Sequence, residues 1–209
     1  MSEEKTDKDR IVSERIPSIL SDTSSDFSVR GLQKIHFLLF KGVSVKAGLF
    51  RNKFNPRKKE AVLQSRSVNY ADSSEISILF EKIIFEEQSF DYSILNNEQK
   101  IKKLARFFSD LWKIHPFYDG NTRSITLFII RRMRELGFIV DNTLFERNAS
   151  YFRNCLVMSA YENRRISRDF SFLEKFLRNV ANGVPISNLS SEILIIENPK
   201  FLSLGKFLT

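Results

Sequence analysis

Nine consecutive residues, His115-Pro116-Phe117-Tyr118-Asp119-Gly120-Asn121-Thr122-Arg123, set a base, a carboxylate, an amide and a guanidinium around a glycine turn. That combination suits phosphate chemistry. A turn of small residues leading into a helix presents backbone N–H groups at the positive end of the helix dipole, where they hold an anion. A carboxylate at Asp119 can hold a hard divalent cation against that anion, and His115 can take a proton from an incoming hydroxyl. Each residue also has a plain structural reading. Asp119-Gly120-Asn121 is the composition of a surface turn, Asp119 or Asn121 can cap the following helix, and Arg123 can pair with a carboxylate on a helix face.

The stretch resembles the Fic family signature, which runs His-Pro-Phe, any residue, Asp or Glu, Gly-Asn, a small residue, Arg. Seven positions match. With each residue type at about 5% of average usage, seven fixed positions coincide by chance at roughly one site in 10⁹. The similarity extends outward through Gly48-Leu49-Phe50-Arg51, Lys59-Glu60-Ala61-Val62-Leu63, Ser67-Val68-Asn69-Tyr70 and Tyr151-Phe152-Arg153-Asn154, covering roughly residues 30 to 181.

The resemblance implies transfer of AMP from ATP to a Ser, Thr or Tyr hydroxyl of a target protein, with magnesium as cofactor. A protein hydroxyl is a weak nucleophile at neutral pH and needs a base beside the attacked phosphorus; neutral His115 fills that role. Charge gathers on the α-phosphate as pyrophosphate departs. Magnesium on Asp119, the loop N–H groups, the Asn121 amide and Arg123 would offset it. On this reading Asp119 is the metal ligand, Asn121 orients the phosphate and Arg123 clamps the leaving phosphates. Phe117 pins the loop to the core, Gly120 allows close backbone approach, and Thr122 completes the binding loop.

The chain departs from the family pattern at two places. Many members carry glycine where this chain has Thr122, and a second arginine where it has Thr126. The second arginine seats the terminal phosphate and pairs with an inhibitory glutamate, so its loss leaves room for transfer of another phosphate-containing group. Thr122 disfavours positive φ, so the loop must form with ordinary backbone angles there. The family's inhibitory motif, Ser or Thr, three residues, then Glu followed by Gly or Asn, is matched neither at Glu162-Asn163 nor at Glu197-Asn198. Glu197 is a loose candidate, and control by an antitoxin-like partner is a family option.

The elements that must position the loop follow from periodicity. Leu32, Ile35, Leu38 and Leu39 predict an amphipathic helix with His36 on its flank, read as structural because no second ligand lies at metal spacing. Residues 61 to 70 alternate without a helical stripe and predict a small hairpin or irregular flap; the pattern alone fits a surface hairpin packed on helices, and the resemblance implies a free edge over the loop that would accept an extended segment of the target protein. Helices are expected at Glu75 to Glu86 and, most strongly, at Gln99 to Ile114, where Ile101, Leu104, Ala105, Phe108, Leu111 and Trp112 form one stripe. His115 continues that stripe, and Pro116 resists helix continuation through it. The next helix begins at Asn121 to Ser124 and stops at Gly137; its apolar circumference marks it as central. Further helices fit Ser150 to Tyr161 and Ser167 to Ala181.

Composition bounds the rest. With 209 residues and 42% apolar content, the chain can bury one sizeable core. The expected organisation is a polar N-terminal tail over 1–28 with a short helix near 10–20, a Fic-like domain over 29–183, and a C-terminal tail over 184–209 whose Ile193-Leu194-Ile195-Ile196 run docks on the domain or a partner. No apolar run approaches a membrane span, and the start lacks a signal-peptide core, which suggests a cytoplasmic protein. A secreted effector remains an alternative reading. Cys155 is the single cysteine, which excludes an internal disulfide and fits a core position. The net charge of +8, densest at Arg51, Lys53, Arg57, Lys58 and Lys59, suits an acidic ligand or a solvated face better than nucleic acid, for which no motif exists. The expected fold class is therefore all-α (mainly α), a Fic-like helical bundle with a small β-hairpin flap over the active-site loop. The rival to an enzyme is a catalytically silent interaction module. Oligomeric state is not encoded legibly.

Overall fold

The computed structural model describes residues 3–22, 26–53, 58–140 and 142–183. The tail run at 193–196 and Glu197 lie outside the described residues. Those described are mainly helical, with eight α-helices and no strand pairing beyond one isolated bridge. The helices are α1 Glu3–Ser21, α2 Val29–Phe40, α3 Ile76–Gln88, α4 Asn97–Ile114, α5 Asn121–Glu135, α6 Thr143–Arg147, α7 Ala149–Ala160 and α8 Ser171–Ala181. Among the described residues, no helix is long and apolar enough to cross a membrane.

The chain divides into two compact units. The first comprises Met1–Asn55, Ala71–Asp91 and Ile114–Asn142 and contains α1, α2, α3 and α5. Its core forms where α5 packs against α1 and α2. As the sequence pattern implies, α5 is buried on much of its circumference, from Ile125 through Ile130 to Met133. Phe27 stacks on Phe128 with ring centroids 4.6 Å apart, and Phe80 tilts against the same ring at 6.3 Å. The N-terminal segment carries a longer helix than the short one expected near 10–20. Val12, Ile16 and Ile19 are buried at helical spacing, and that stripe carries α1 across 19 residues.

The second unit comprises Pro56–Tyr70, Tyr92–Lys113 and Thr143–Thr209. Asn96 and Gln99 start α4 by reciprocal capping: the Asn96 N–H donates to Gln99 Oε1 and the Gln99 N–H to Asn96 Oδ1, both at 2.9 Å. Its predicted stripe is buried from Ile101 to Trp112. Phe108, Phe145, Phe152 and Phe176 form an aromatic cluster with centroid separations of 4.8 to 5.3 Å, which joins α4, α6, α7 and α8. Helix α8 begins later than Ser167 because Arg168 is drawn away to the Ser159 carbonyl and Ser109 Oγ. Asp169, just outside the helix, accepts from the Ser171 N–H at 3.0 Å in an Asx turn that leads into the delayed start. Cys155 is buried, and burial pushes its thiol up to about 12, so it is inert.

The hairpin flap expected over 61–70 takes a different form. A 3-10 turn at Ala61–Leu63 is followed by two left-handed residues, Gln64 and Ser65, and closed by a single antiparallel bridge between Glu60 and Arg66. The pairing ends there because Ala61–Leu63, which a hairpin strand would need extended, are coiled into the 3-10 turn enclosed by the bridge. A side-chain anchor stands in its place. Buried Glu60 accepts two hydrogen bonds from Arg153 of α7, at 2.6 and 2.8 Å. Removing one partner strands the other charge, so Arg153→Met is expected to destabilise the protein by about 3 kcal/mol in urea unfolding. A loss below about 0.5 kcal/mol would mean that the pair is solvated and does not anchor the turn.

Candidate active site

The loop between α4 and α5 turns on two left-handed residues, His115 at φ 53° and Gly120 at φ 72°. A histidine in that conformation before a proline is strained by about 1–2 kcal/mol, since both Cβ and the following ring oppose it. Gly120 is required for two reasons. Its φ is positive, and an added Cβ would meet the Phe40 ring at 2.3 Å. As the N-cap of α5, Gly120 brings no side-chain acceptor to the first-turn amides, the arrangement that suits an anion at a helix N-terminus. Thr122 keeps ordinary backbone angles, being absent from the positive-φ set.

Asn121 is 3% exposed, and both ends of its amide are engaged by one residue. The Phe117 N–H donates to Asn121 Oδ1 and Asn121 Nδ2 donates to the Phe117 carbonyl, each at 2.8 Å. The side chain expected to orient a phosphate instead closes the loop on itself. Phe117 is fully buried, stacked on His36 at 3.8 Å and tilted against Phe50 at 5.4 Å.

His36 ties α2 to the loop. The Gly48 N–H donates to its Nδ1 at 2.8 Å, so Nδ1 is unprotonated and the proton sits on Nε2, which donates to the Asp119 carbonyl at 3.1 Å. Burial holds the imidazole well below its ordinary 6.5, at about 4, against the opposing pull of the Asp119 carbonyl and charge; Arg123 lowers it further.

A cavity of about 560 Å³ opens beside the loop. Tyr118, Asp119 and Arg123 line it, together with Lys8 and Asp9 of α1, His36 and Phe40 of α2, and Lys46. His115 is not among its lining residues. The Asp119 carboxylate is exposed, and its Oδ1 accepts the Gly120 N–H at 2.7 Å. Arg123 lies over the Phe40 ring at 5.0 Å, and its Nη1 donates to Asp9 Oδ1 at 2.9 Å. Lys46 sits 4.9 Å over the Tyr118 ring, whose hydroxyl donates to Asn52 Oδ1. Thr126, in the place of a second arginine, is buried and donates its hydroxyl to the Thr122 carbonyl at 2.7 Å.

Sequence reasoning missed Asp9, Phe40 and Arg51 as parts of this site. The first lay in a segment read as a tail, although the Val12, Ile16, Ile19 spacing pointed to a packed helix. Arg51 was grouped with an exposed basic patch, yet it is 2% exposed, whereas Lys53, Lys58 and Lys59 are exposed. Its guanidinium is drawn inside by backbone carbonyls at the end of α4.

Comparison with known proteins bears on the family and the fold. The family model described as Fic/DOC family matches residues 26–131. The N-terminal FIC domain of the Bep8 protein, a VirB-translocated effector from Bartonella sp. 1-1C, is similar with a TM-score of 0.70 at 16% identity, over 90% of each chain. The N-terminal Fic domain of a Bartonella quintana effector, solved with bound ADP, is similar with a TM-score of 0.69 at 17% identity, over 85% of this chain and 84% of that one. At such identities these likenesses speak for the fold. A ribonucleoside-diphosphate reductase small chain from Ostreid herpesvirus 1 is 25% identical over 130 residues, 58% of this chain and 22% of that protein. The chain thus matches about a fifth of that relative's length.

The His36 geometry makes stability depend on pH. Between pH 6.5 and about 4 the unfolded chain takes up a proton that folded His36 refuses, so stability falls as pH drops through that window. The stability advantage of wild type over His36→Gln is expected to shrink by about 3 kcal/mol between pH 7 and pH 4. An advantage constant with pH in urea titrations would show that His36 is not held neutral.

Proposed function

The chain belongs to the Fic/DOC family, and from that premise we propose that it transfers AMP from ATP to a Ser, Thr or Tyr hydroxyl of a target protein. The carrying observation is the loop itself: a histidine at the end of one packed helix, an anion-suited helix start five residues later, and an amide clamp from Asn121 to Phe117 between them. The ADP in the Bartonella quintana neighbour supports nucleotide as ligand.

His115 takes the proton of the attacking hydroxyl, a contribution of roughly 10² to 10⁴ in rate. The first-turn amides of α5 receive the phosphate oxygens, and Arg123 with Lys46 offers positive charge in the cavity to the departing pyrophosphate. Asn121 acts by holding Phe117, so its share of catalysis is preorganisation of the loop. Asp119 fits a magnesium ion. The cation is ordinarily held by one or two carboxylates plus substrate phosphates, and Asp119 has one oxygen on Gly120 and a second to offer. Bound magnesium would supply charge neutralisation on the phosphates. ATP as co-substrate sets the reaction in a cytoplasm, the chain's own or that of a cell receiving it.

Intact-mass analysis of the protein and a cell lysate with ATP and magnesium tests the reading. One added AMP, reduced at least a hundredfold in rate by His115→Ala, is expected. A phosphate-sized gain would select phosphoryl transfer, and no gain together with no nucleotide binding would select an interaction module.

The Asp9 contact has a measurable consequence. Asp9 competes with a phosphate for the Nη1 donor of Arg123, and both side chains are partly exposed, at 35% and 55%. Exposed pairs contribute about 0–1 kcal/mol, so the contact tunes affinity without blocking the site. Asp9→Asn is expected to tighten ATP binding by up to about fivefold in calorimetry; weaker binding would show that Asp9 serves the nucleotide directly.

A further inference from the structure

Arg51 is among the largest fully buried side chains of the protein, and among the described residues it forms no ion pair. Its donors go to backbone carbonyls instead. Nε donates to the His115 carbonyl at 2.7 Å, Nη2 to the Ile114 carbonyl at 3.3 Å and to that of Ala71, and Nη1 to the Lys53 carbonyl at 3.1 Å. The Arg51 N–H adds a bond to the Pro116 carbonyl at 2.8 Å. One residue therefore grips three consecutive carbonyls, at 114, 115 and 116, where α4 ends.

Burying a guanidinium is unfavourable unless all its protons find acceptors, and burial does lower the pKa of this one, with Asp72 opposing. Two of the acceptors it finds, the Ile114 and His115 carbonyls, lie at the negative end of an 18-residue helix, and the Ala71 and Lys53 carbonyls take its other donors. The position just past such an end is usually glycine in a left-handed conformation. Here it is His115, left-handed at φ 53° and followed by proline, a conformation that it would leave if unrestrained. An external grip on its carbonyl and on both neighbours removes that freedom.

We propose that Arg51 is a positioning residue for His115, holding the strained backbone that aims the imidazole at the attacking hydroxyl. The proposal rests on His115 being the base, and its test separates the two claims. The chain has two histidines, so histidine-selective ¹³C,¹⁵N labelling gives two signals that His115→Ala assigns. In Arg51→Met the His115 Cα and Cβ shifts should move from left-handed toward extended values while the His36 signal stays in place. AMP transfer should lose about a hundredfold in kcat, the effect of a misplacement near 1 Å, with ATP affinity within about threefold of wild type. Arg51→Lys keeps the charge and reaches fewer carbonyls; it should recover about tenfold of that loss.

Unchanged His115 shifts in folded Arg51→Met would overturn the proposal, as would kcat and ATP affinity falling in parallel. Should Arg51→Met fail to fold, Arg51→Lys decides. A partial His115 displacement with reduced kcat supports the assignment, and a wild-type spectrum and rate contradict it. If wild type transfers nothing, the proposed reaction fails, while the His115 shifts still report whether Arg51 sets its backbone.

Discussion

The chain leaves α4 and enters α5 across six residues, and within them its backbone turns left-handed twice, at His115 and Gly120. Glycine adopts its angle freely; histidine does not. The surroundings of the loop follow from that constraint. Asn121 holds the Phe117 peptide from one side, His36 holds the Asp119 carbonyl from another, and Arg51 holds the carbonyls where α4 ends. Each grip acts on backbone carbonyls or amides of the loop. The Phe117 ring beneath the loop, stacked on His36 and beside Phe50, gives these polar contacts a dry floor that strengthens them.

The charges around the cavity are arranged on the same scaffold. Phe40 fills the space that a Cβ at Gly120 would need and carries the Arg123 guanidinium on its face. A cation held by an aromatic ring and one partly exposed carboxylate is placed and yet able to change partner. That is the property a phosphate clamp needs. Thr126, by contrast, is committed to the helix backbone, so the positive charge of this cavity comes from Arg123, Lys46 and Lys8, supplied by three separate segments.

Much of this was legible in the sequence because helices announce themselves by apolar spacing. The stripe from Ile101 to Trp112, the apolar girth of α5 and the break at Pro116 all appear where periodicity puts them. What escaped notice shares a cause: pattern reading treats charge as surface. Arg51 reads as part of a basic run and is buried, because backbone carbonyls can satisfy a guanidinium and leave no trace in the residue pattern. Asp9 sits in a charged stretch whose few apolar residues carry the packing. The five-residue α6 is too short to show a period, and the alternation at 61–70 looked like a hairpin, although Ala61–Leu63 coil into a 3-10 turn and leave one bridge.

The central claim is that the loop from His115 to Arg123 holds nucleotide phosphates on the start of α5. It is tested most directly by a crystal structure with a non-hydrolysable ATP analogue and magnesium. The account predicts phosphate oxygens on the amides following Gly120, Arg123 released from Asp9, and the α-phosphorus as the phosphate nearest His115. Nucleotide bound elsewhere, or a loop that stays empty at saturating analogue with Arg123 still on Asp9, would contradict it.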